Sequence, residues 1–343
     1  MKVSFLAMNA YEGPAPGIEI WPAFPESCDP AVASQSIQHA LDLSVHAEQL
    51  GFDWVSVSEH HYAPYMMTPN PVVFAGALTQ VLKKARIALL GPLVPLVNPV
   101  RLAEELSMLD ALSGGRLEVL FLRGTPNEHK TYDTKTSDTR GMTQEGIDLV
   151  LKAWTEPQPF SWEGEHYQFS KIAVWPRPLQ KPHPNVYGSG NSEESVLFAA
   201  QRGMGIAFSF APPDVVKKWV QLFHDEAKKC GWQPGPEHVI YRGIAFAGDS
   251  DDDAMAQMGA YFGQKAEEQA LFQSQAMGGP PVVPLISEPY FVGGPSTLIE
   301  RFQVLRDCGV GVVDMAFGVG THEQKMASMK TFAEQVLPSV HKM

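Results

Sequence analysis

The amino-acid sequence predicts an α/β protein, a (β/α)8 TIM barrel with a small β-hairpin insertion and a long lid loop between strands seven and eight. Short runs rich in β-branched and aromatic residues alternate with longer segments of helical periodicity, which is typical of a parallel sheet joined by helices. Alternation alone would also fit a doubly wound open sheet, and the count of eight strands favours the closed barrel. The length of 343 residues suits a single domain, to which we assign residues 1–343.

Eight short segments are the predicted strands. They are Val3–Ala7, Trp54–Ser58, a strand within Arg86–Leu96, Leu117–Leu122, Val186–Ser189, Gly205–Phe210, Val239–Ala247 and Val312–Phe317. Longer segments with apolar residues at helical spacing are the predicted helices, and the first of them ends at Gly51, a typical C-terminal stop. They are Ser34–Leu50, a helix from Val72, Val100–Leu112, Thr143–Trp154, Glu193–Arg202, Asp214–Lys229, Asp251–Gln275, Ser296–Cys308 and Lys325–Leu337.

Two segments interrupt this alternation. Phe160–Val174 carries alternating aromatic residues around Glu163-Gly164-Glu165, a pattern that predicts a β-hairpin. Met277–Gly294 is rich in glycine and proline and fits no regular element. Loops of this length are usually lids or disordered segments, and its position between strands seven and eight predicts a mobile lid near the active end.

Composition limits the partners and the location. The formal net charge of −12 argues against nucleic acid and against anionic membrane surfaces, since both attract basic proteins. No run approaches the ~20 apolar residues of a membrane span, and the apolar start of the chain is too short for a signal peptide. Cys28, Cys230 and Cys308 lie far apart and form no disulfide framework, which favours a reducing environment. We therefore expect a soluble cytoplasmic enzyme.

In a (β/α)8 barrel the functional site lies at the carboxyl ends of the strands. Polar or glycine-rich segments follow several predicted strands at that end. They are Glu59-His60-His61, Gly91-Pro92, Arg123-Gly124-Thr125, Ser189 to Ser195 and Phe210 to Pro213. We expect these segments to meet at one mouth of the barrel.

The segment after strand five has two interpretations. Ser189, Gly190, Asn191, Ser192 and Ser195 open directly into a helix, whose first N–H groups and positive dipole end suit a phosphate. The alternative is an ordinary N-cap by Asn191 or Ser192.

Arg123 ends an apolar strand, where a guanidinium would be costly to bury unless it met an anion such as a phosphate. The alternative is a salt bridge to a carboxylate at the rim. Arg140 lies in a polar loop, where a solvated surface arginine is the simpler interpretation.

His60 and His61 are adjacent at a strand end, so their side chains should point in different directions. One of them is a natural general acid or base near neutral pH. The other could be packed and hydrogen-bonded to Glu59. Adjacent histidines are poorly placed to ligate one ion, and no HExxH or CxxC motif accompanies them, so we predict no metal.

At these residues the chain resembles the bacterial luciferase-like flavin monooxygenases, in particular the luciferase α subunits. The matching motifs, which keep their order and spacing over nearly the full length, are Glu59-His60-His61, Asn98-Pro99-Val100-Arg101, Leu109-Asp110, Ser113-Gly114-Gly115-Arg116, Arg123-Gly124, Phe198 to Gly203, Val292-Gly293-Gly294-Pro295 and Ala327-Ser328-Met329-Lys330. The resemblance implies reduced FMN, which reacts with O2 to a flavin C4a-hydroperoxide that oxygenates a small, apolar organic substrate. It also implies a separate reductase as the source of FMNH2, since the sequence has no GxGxxG fingerprint after a strand, and a homodimer formed through the early helices.

The resemblance also implies roles for single residues. His60 falls on a histidine implicated in catalysis, and Leu90-Gly91 falls on a non-prolyl cis peptide beneath the isoalloxazine. Arg123 and Arg140 fall on arginines near the flavin phosphate. The full cofactor-binding set is Leu90, Gly91, Arg123, Thr125, Arg140, Ser189, Gly190, Asn191, Ser192, Ser195 and Phe210, where Ser192 and Ser195 fall on phosphate-binding hydroxyls and Phe210 replaces a tryptophan beside the flavin.

Departures from the luciferase α pattern leave light emission and a long-chain aldehyde substrate unsupported. Asn191 replaces a glutamate, His129 an aspartate and Leu122 a reactive cysteine. Two alternatives remain open: a deazaflavin-dependent hydride-transfer enzyme of the same superfamily, and a non-catalytic flavin-binding subunit. The presence of His60, Arg123 and Arg140 together argues against the second.

Overall fold

Eight parallel strands close into a barrel. The computed structural model describes residues 1–17, 20–258, 290–318 and 320–343. The strands are β1 (Lys2–Leu6), β2 (Trp54–Val57), β3 (Arg86–Leu93), β4 (Leu117–Leu122), β5 (Phe160–Glu163), β6 (Gln168–Ile172), β7 (Asn185–Ser189), β8 (Gly205–Ser209), β9 (Val239–Ala247), β10 (Tyr290–Gly293) and β11 (Val312–Ala316). The barrel order is β1-β2-β3-β4-β7-β8-β9-β11, and β11 pairs again with β1. The predicted eight-stranded barrel is therefore confirmed.

Helices surround the barrel, and several begin at a proline. They are Pro30–Gln49, Pro71–Val81, Pro99–Leu112, Pro126–Lys130, Thr139–Thr155, Glu193–Gln201, Pro213–Lys229, Pro295–Asp307, His322–Gln335 and Leu337–Val340, and residues 251–258 are also helical. Asn70 and Asn98 cap two of them with their side-chain oxygens. The next residue is proline in both cases, which helices accept at the first position because no N–H is needed there.

Alternate residues of the strands form two apolar layers. Side chains such as Trp54, Leu90, Leu120 and Tyr187 pack inside the barrel. Their neighbours, such as Val55 and Val119, pack outward against the helices in the main core. This period-two pattern buries one face of each strand inside the barrel and the other face under the helices.

The predicted β-hairpin is present as β5 and β6, which pair antiparallel. Glu145 of the preceding helix attaches it. The Glu145 carboxylate accepts hydrogen bonds from the Trp162 indole at 2.9 Å and from the backbone N–H groups of His166 at 2.8 Å and Tyr167 at 3.0 Å.

The prediction of a lid over Met277–Gly294 is wrong for the C-terminal end of that segment. Tyr290–Gly293 is the strand β10, which pairs parallel with Ile244–Ala247 of β9, and Gly294 caps the next helix. The physical reason is burial, since Tyr290, Phe291 and Val292 are all at most 6% exposed. The rest of the predicted lid, 277–289, lies outside the described residues, as does the predicted helix Asp251–Gln275 beyond residue 258. Within the described part of the chain, every helix is too short or too polar to cross a bilayer.

Candidate functional site

His60 and His61 follow β2 and are held by two carboxylates from different directions. Nδ1 of His60 lies 2.9 Å from Oε1 of Glu128, and Nε2 of His61 lies 3.0 Å from Oε1 of Glu59. The second oxygen of Glu128 accepts the His61 backbone N–H at 3.1 Å, and the second oxygen of Glu59 accepts that of Leu93 at 3.0 Å. The predicted divergence of the two histidines is therefore confirmed, as is the packing of one of them on Glu59.

The two imidazoles differ in their surroundings. The His61 side chain is 3% exposed, whereas that of His60 is 29% exposed. Because a carboxylate only accepts, the Nδ1–H of His60 donates to Glu128 and its Nε2 is left for another partner. His60, not His61, is thus the residue that can exchange a proton with a bound molecule.

Tyr65 lies beside His60, with the ring centroids 5.5 Å apart. Burial, and secondarily the charge of Glu128, raises the pKa of Tyr65 well above its usual value. The hydroxyl therefore keeps its proton.

The peptide bond between Leu90 and Gly91 in β3 is cis, as the resemblance implies. A Cβ at Gly91 would lie 1.7 Å from the Leu120 carbonyl oxygen, so β3 can approach β4 here only because position 91 has no side chain. The Leu90 carbonyl accepts a hydrogen bond from the Ser58 hydroxyl.

Arg242 of β9 reaches across the barrel to this cis peptide. Its Nη1 donates to the Ser58 hydroxyl at 2.6 Å, and its Nε donates to Oδ2 of Asp314 at 2.7 Å. The Arg242 side chain is 12% exposed and Asp314 is fully buried, with Oδ1 accepting from the Ser56 hydroxyl at 2.6 Å. Nη2 of Arg242 is buried and has no partner among the described residues. One donor of a buried cation thus remains unsatisfied close to the barrel mouth.

The helix start after β7 is capped as the simpler interpretation predicts. Ser192 is the N-cap and accepts the backbone N–H of Ser195 at 3.3 Å, and the two hydroxyls lie 2.8 Å apart. Asn191 is exposed, and its N–H donates to the Ser189 hydroxyl at 3.3 Å. Gly190 donates its N–H to Ala207 of β8 at 2.7 Å, which fixes this turn to the barrel.

Arg140 is attached to the same helix start. It forms an ion pair with Glu194, whose other oxygen accepts from Gln144 at 3.1 Å. The Arg140 side chain is half exposed. It is therefore neither buried nor simply solvated, and an anion at Ser192–Ser195 would compete with Glu194 for it.

Arg123 directly follows β4, which lies next to β7. Leu120 is opposite Tyr187 in the parallel register, so the residues three positions further, Arg123 and Gly190, come to the same level. Arg123 is exposed, and within the described ranges its guanidinium forms neither a hydrogen bond nor an ion pair. The alternative of a salt bridge at the rim is therefore not supported.

The residues after Arg123 form a short helix, Pro126–Lys130, which is not among the predicted helices. Thr125 is its N-cap by position. Nε2 of the buried His129 lies 3.0 Å from the Arg123 carbonyl oxygen and Nδ1 lies 3.2 Å from the Thr136 hydroxyl. Since a carbonyl only accepts, His129 is protonated on Nε2 and accepts on Nδ1. Burial lowers the pKa of His129.

Phe210 follows β8 with a φ of +55° and is 38% exposed. Its N–H donates to the Arg242 carbonyl at 3.0 Å, so β9 holds the backbone in this left-handed conformation. A half-exposed aromatic ring at a strand end can pack against a bound planar molecule.

The structure joins the predicted segments in two groups. One contains His60, Glu128 and the loop after β4. The other contains Arg140 and the helix start after β7. Glu128, Tyr65, Ser58 and Arg242 are absent from the predicted site; a charged residue in the apolar strand Val239–Ala247 was the available signal for Arg242, because a buried cation requires a partner.

Sequence comparison finds that this chain is similar to monooxygenases. A family model described as luciferase-like monooxygenase matches residues 20–335. The alkanal monooxygenase alpha chain of the Kryptophanaron alfredi symbiont is 29% identical over 197 residues, which are 57% of this chain and 55% of that one. The oxygenase component of the flavin-dependent trigonelline monooxygenase of Acinetobacter baylyi is 22% identical over 91% of this chain and 92% of that one. The chain spans about half the length of the first curated relatives that it matches.

Solved structures show the same fold over nearly the whole chain. Monooxygenase RslO1 from Streptomyces bottropensis superposes with a TM-score of 0.83 at 24% identity, covering 100% of both chains. The oxygenating constituent of 3,6-diketocamphane monooxygenase from Pseudomonas putida, in complex with FMN, gives 0.78 at 20% identity and 98% coverage of both. An F420-dependent secondary alcohol dehydrogenase gives 0.75 at 18% identity, covering 99% of this chain and 98% of that one.

Proposed function

Because the chain belongs to the luciferase-like monooxygenase family, we propose that it is a flavin monooxygenase. It takes FMNH2 from a separate reductase and uses O2 to oxygenate a small, apolar organic substrate. The observation that supports this most is the pair of a partly exposed His60 and its buried partner Glu128 at the barrel mouth. This is the arrangement of an oriented general acid or base.

The residues around the cis peptide fit an isoalloxazine ring. The cis peptide Leu90-Gly91 is planar, the Phe210 ring is 38% exposed, and the buried Nη2 of Arg242 is a donor that lacks an acceptor among the described residues. A flavin carbonyl or ring nitrogen would supply that acceptor. When bound, the reduced flavin supplies the electrons that activate O2.

Ser189, Ser192, Ser195 and the first N–H groups of the following helix would hold the phosphate. Arg140 would move from Glu194 to the phosphate, and the guanidinium of Arg123, which has no partner among the described residues, would approach from the adjacent strand end. Thr125, Gly190 and Asn191 would complete this end of the cofactor site.

An apolar cluster beside His60 supports an apolar substrate. Leu6, Met66 and Ala316 are buried together, with Met8 and Tyr65 packed against them. In this proposal His60 exchanges a proton through Nε2 with the oxygen-bearing groups, while Glu128 holds its Nδ1–H and the Tyr65 ring limits its rotation.

The experiment supplies photoreduced FMN and air to the 343-residue chain, with a panel of small ketones, aldehydes and aromatic compounds, and measures oxygenated product. His60→Ala should lower kcat by about 100-fold because a positioned acid or base is lost. FMN affinity should change by less than about threefold. His224→Ala, at the surface of another helix, is the control. Binding of reduced F420 but not FMNH2, or full turnover by His60→Ala, would contradict the proposal.

We also propose that the chain forms a homodimer through its early helices. Val73 is 71% exposed on Pro71–Val81, and Met108 and Leu112 are 52% and 54% exposed on the neighbouring Pro99–Leu112. Exposed apolar side chains on two packed helices are typical of an interface. Sedimentation should give a dimer for the wild type and a monomer for Val73→Glu/Met108→Glu; a monomeric wild type would rule this out.

The three unpaired cysteines are compatible with the proposed cytoplasmic location.

A further inference from the structure

A second cluster of ligating side chains lies outside the barrel mouth. Glu12 follows β1, His39 lies on the helix Pro30–Gln49, and His322 is the first residue of His322–Gln335. One ligand atom from each lies within 4.8 Å of the other two. The imidazole centroids of His39 and His322 are 4.5 Å apart. None of these residues takes part in the proposed flavin site.

Two of the three residues are anchored by contacts of their backbone or of their helix start. The Glu12 backbone N–H donates to the Ser36 hydroxyl at 3.1 Å, which attaches this segment to the first helix. His322 is held at a helix start whose N-cap, Thr321, forms a reciprocal capping box with Gln324. Ligands on rigid elements need little reorganisation to bind an ion.

An unsatisfied atom points to a missing partner. Nδ1 of His322 is buried and has no hydrogen-bond partner within the described residues. The Nδ1–H of His39 donates a hydrogen bond to Oε2 of Glu12, with the two atoms 2.6 Å apart, next to the His322 ring. A cation that replaced this proton would meet both imidazoles and the carboxylate.

We propose that Glu12, His39 and His322 bind one divalent transition-metal ion of the zinc class. Two imidazoles and one carboxylate form a ligand set that Zn²⁺ accepts, with the fourth position left to water. Tetrahedral ligand atoms lie about 3.3 Å apart, so the side chains must close by about 1.5 Å at most. Lys325, with Nζ 3.7 Å from Oε1 of Glu12, stays on the far carboxylate oxygen and orients it.

The ion would fasten the segment after β1 to the final long helix. The same segment contacts the loop that carries His60, since the Asn9 carbonyl accepts from Met67 at 3.0 Å and the Tyr11 N–H donates to Pro64 at 2.7 Å. The site is therefore structural, and it borders the mouth without entering it.

The test uses the 343-residue chain, treated with chelator and free of flavin, so its result is independent of the proposed oxygenation. Equilibrium dialysis should give one Zn²⁺ per chain, and Co²⁺ should show the visible absorption of a tetrahedral site. A hundredfold excess of Zn²⁺ over its dissociation constant should raise Tm by about 3–5 °C.

Glu12→Gln and His322→Asn should each weaken binding by more than about tenfold and remove the Co²⁺ absorption. Glu12→Gln is the safer variant for folding because Glu12 is exposed and glutamine can still accept from His39. His224→Asn, a histidine on the helix Pro213–Lys229, should bind as the wild type does. Failure to bind one equivalent, or equal binding by Glu12→Gln, would overturn the proposal.

Discussion

Glu128 holds the His60 side chain with one oxygen and the His61 backbone with the other. The orientation of His60 therefore depends on a residue of the β4 loop, although His60 itself follows β2. The adjacent pair Glu59 and His61 forms a second, more buried clamp.

Replacing Glu128 tests this dependence. Glu128→Gln keeps an acceptor for Nδ1–H but replaces a charge-assisted hydrogen bond by a neutral one, so kcat should fall by about tenfold, and by about 100-fold in Glu128→Ala. FMN affinity should not change, which separates positioning of His60 from cofactor binding. Glu163→Gln, on the exposed hairpin, is the control. An unaltered kcat in Glu128→Ala would show that His60 needs no partner.

His129 makes stability depend on pH. Its pKa in the folded protein is lowered by burial from 6.5, so the unfolded chain takes up a proton that the folded chain excludes. The contribution of neutral His129 to the free energy of unfolding is thus complete above pH 6.5. It is lost as the pH falls below 6.5 towards the pKa of His129 in the folded protein. Urea unfolding should show a shallower decline below pH 6.5 in His129→Gln than in the wild type. Equal slopes would disprove the assignment.

At the scale of single residues, sequence reasoning succeeded where a motif and a strand end coincided, as at Glu59-His60-His61. It missed Glu128 because the five-residue helix Pro126–Lys130 is too short to show periodicity, although Pro126 after Thr125 resembles a helix start. It missed Tyr65 because no pattern predicts which residue of an irregular loop turns towards the barrel.

At the scale of elements, the helix Glu193–Gln201 begins with two glutamates where a phosphate is proposed to bind. Glu194 is compensated by Arg140 and Gln144. A phosphate at this helix start would therefore compete with the Glu194 carboxylate for Arg140.

This competition predicts opposite effects of two substitutions. Glu194→Gln should strengthen FMN binding by about threefold, since Arg140 is released and one negative charge is removed. Arg140→Ala should weaken it by about tenfold through the loss of a charged hydrogen bond. Flavin fluorescence measures both, and riboflavin, which has no phosphate, should bind both variants equally. Weaker FMN binding by Glu194→Gln would place the phosphate elsewhere.

Element positions follow well from periodicity, whereas their ends do not. Predicted helix starts at Ser34, Val72 and Val100 lie one to four residues late, because Pro30, Pro71 and Pro99 begin those helices. The short strand β10 was assigned to a lid because glycines and prolines flank it. The pairing of β10 with β9 is a tertiary contact, which cannot be predicted from the sequence of the segment itself.

At the scale of the whole molecule, a series of hydrogen bonds crosses the interior of the barrel. It runs from Asp314 in β11 to Arg242 in β9, then to Ser58 after β2, and ends at the Leu90 carbonyl in β3. Strand order could be predicted from the alternation of elements, but this internal network could not. It depends on which inward positions face each other, and that is set by the barrel's register.

A double-mutant cycle measures the energetic coupling between Arg242 and Asp314 in this network. Arg242→Met should lower the free energy of unfolding by about 3–5 kcal/mol, because Asp314 loses its ion-pair partner in a fully buried position. Adding Asp314→Leu should recover at least about 1 kcal/mol of that loss, since no charge is then left unpaired. Chemical denaturation of the single and double variants gives the coupling. Strict additivity would show that the two side chains do not depend on each other.

The same contact bears on how this protein can change over generations. A substitution that removes the guanidinium at position 242 leaves the buried carboxylate at 314 without a partner, and loss of the carboxylate leaves the buried cation without one. Either single substitution therefore produces a less stable intermediate sequence during evolution. The two positions, 72 residues apart in the gene product, should thus be inherited together or replaced together.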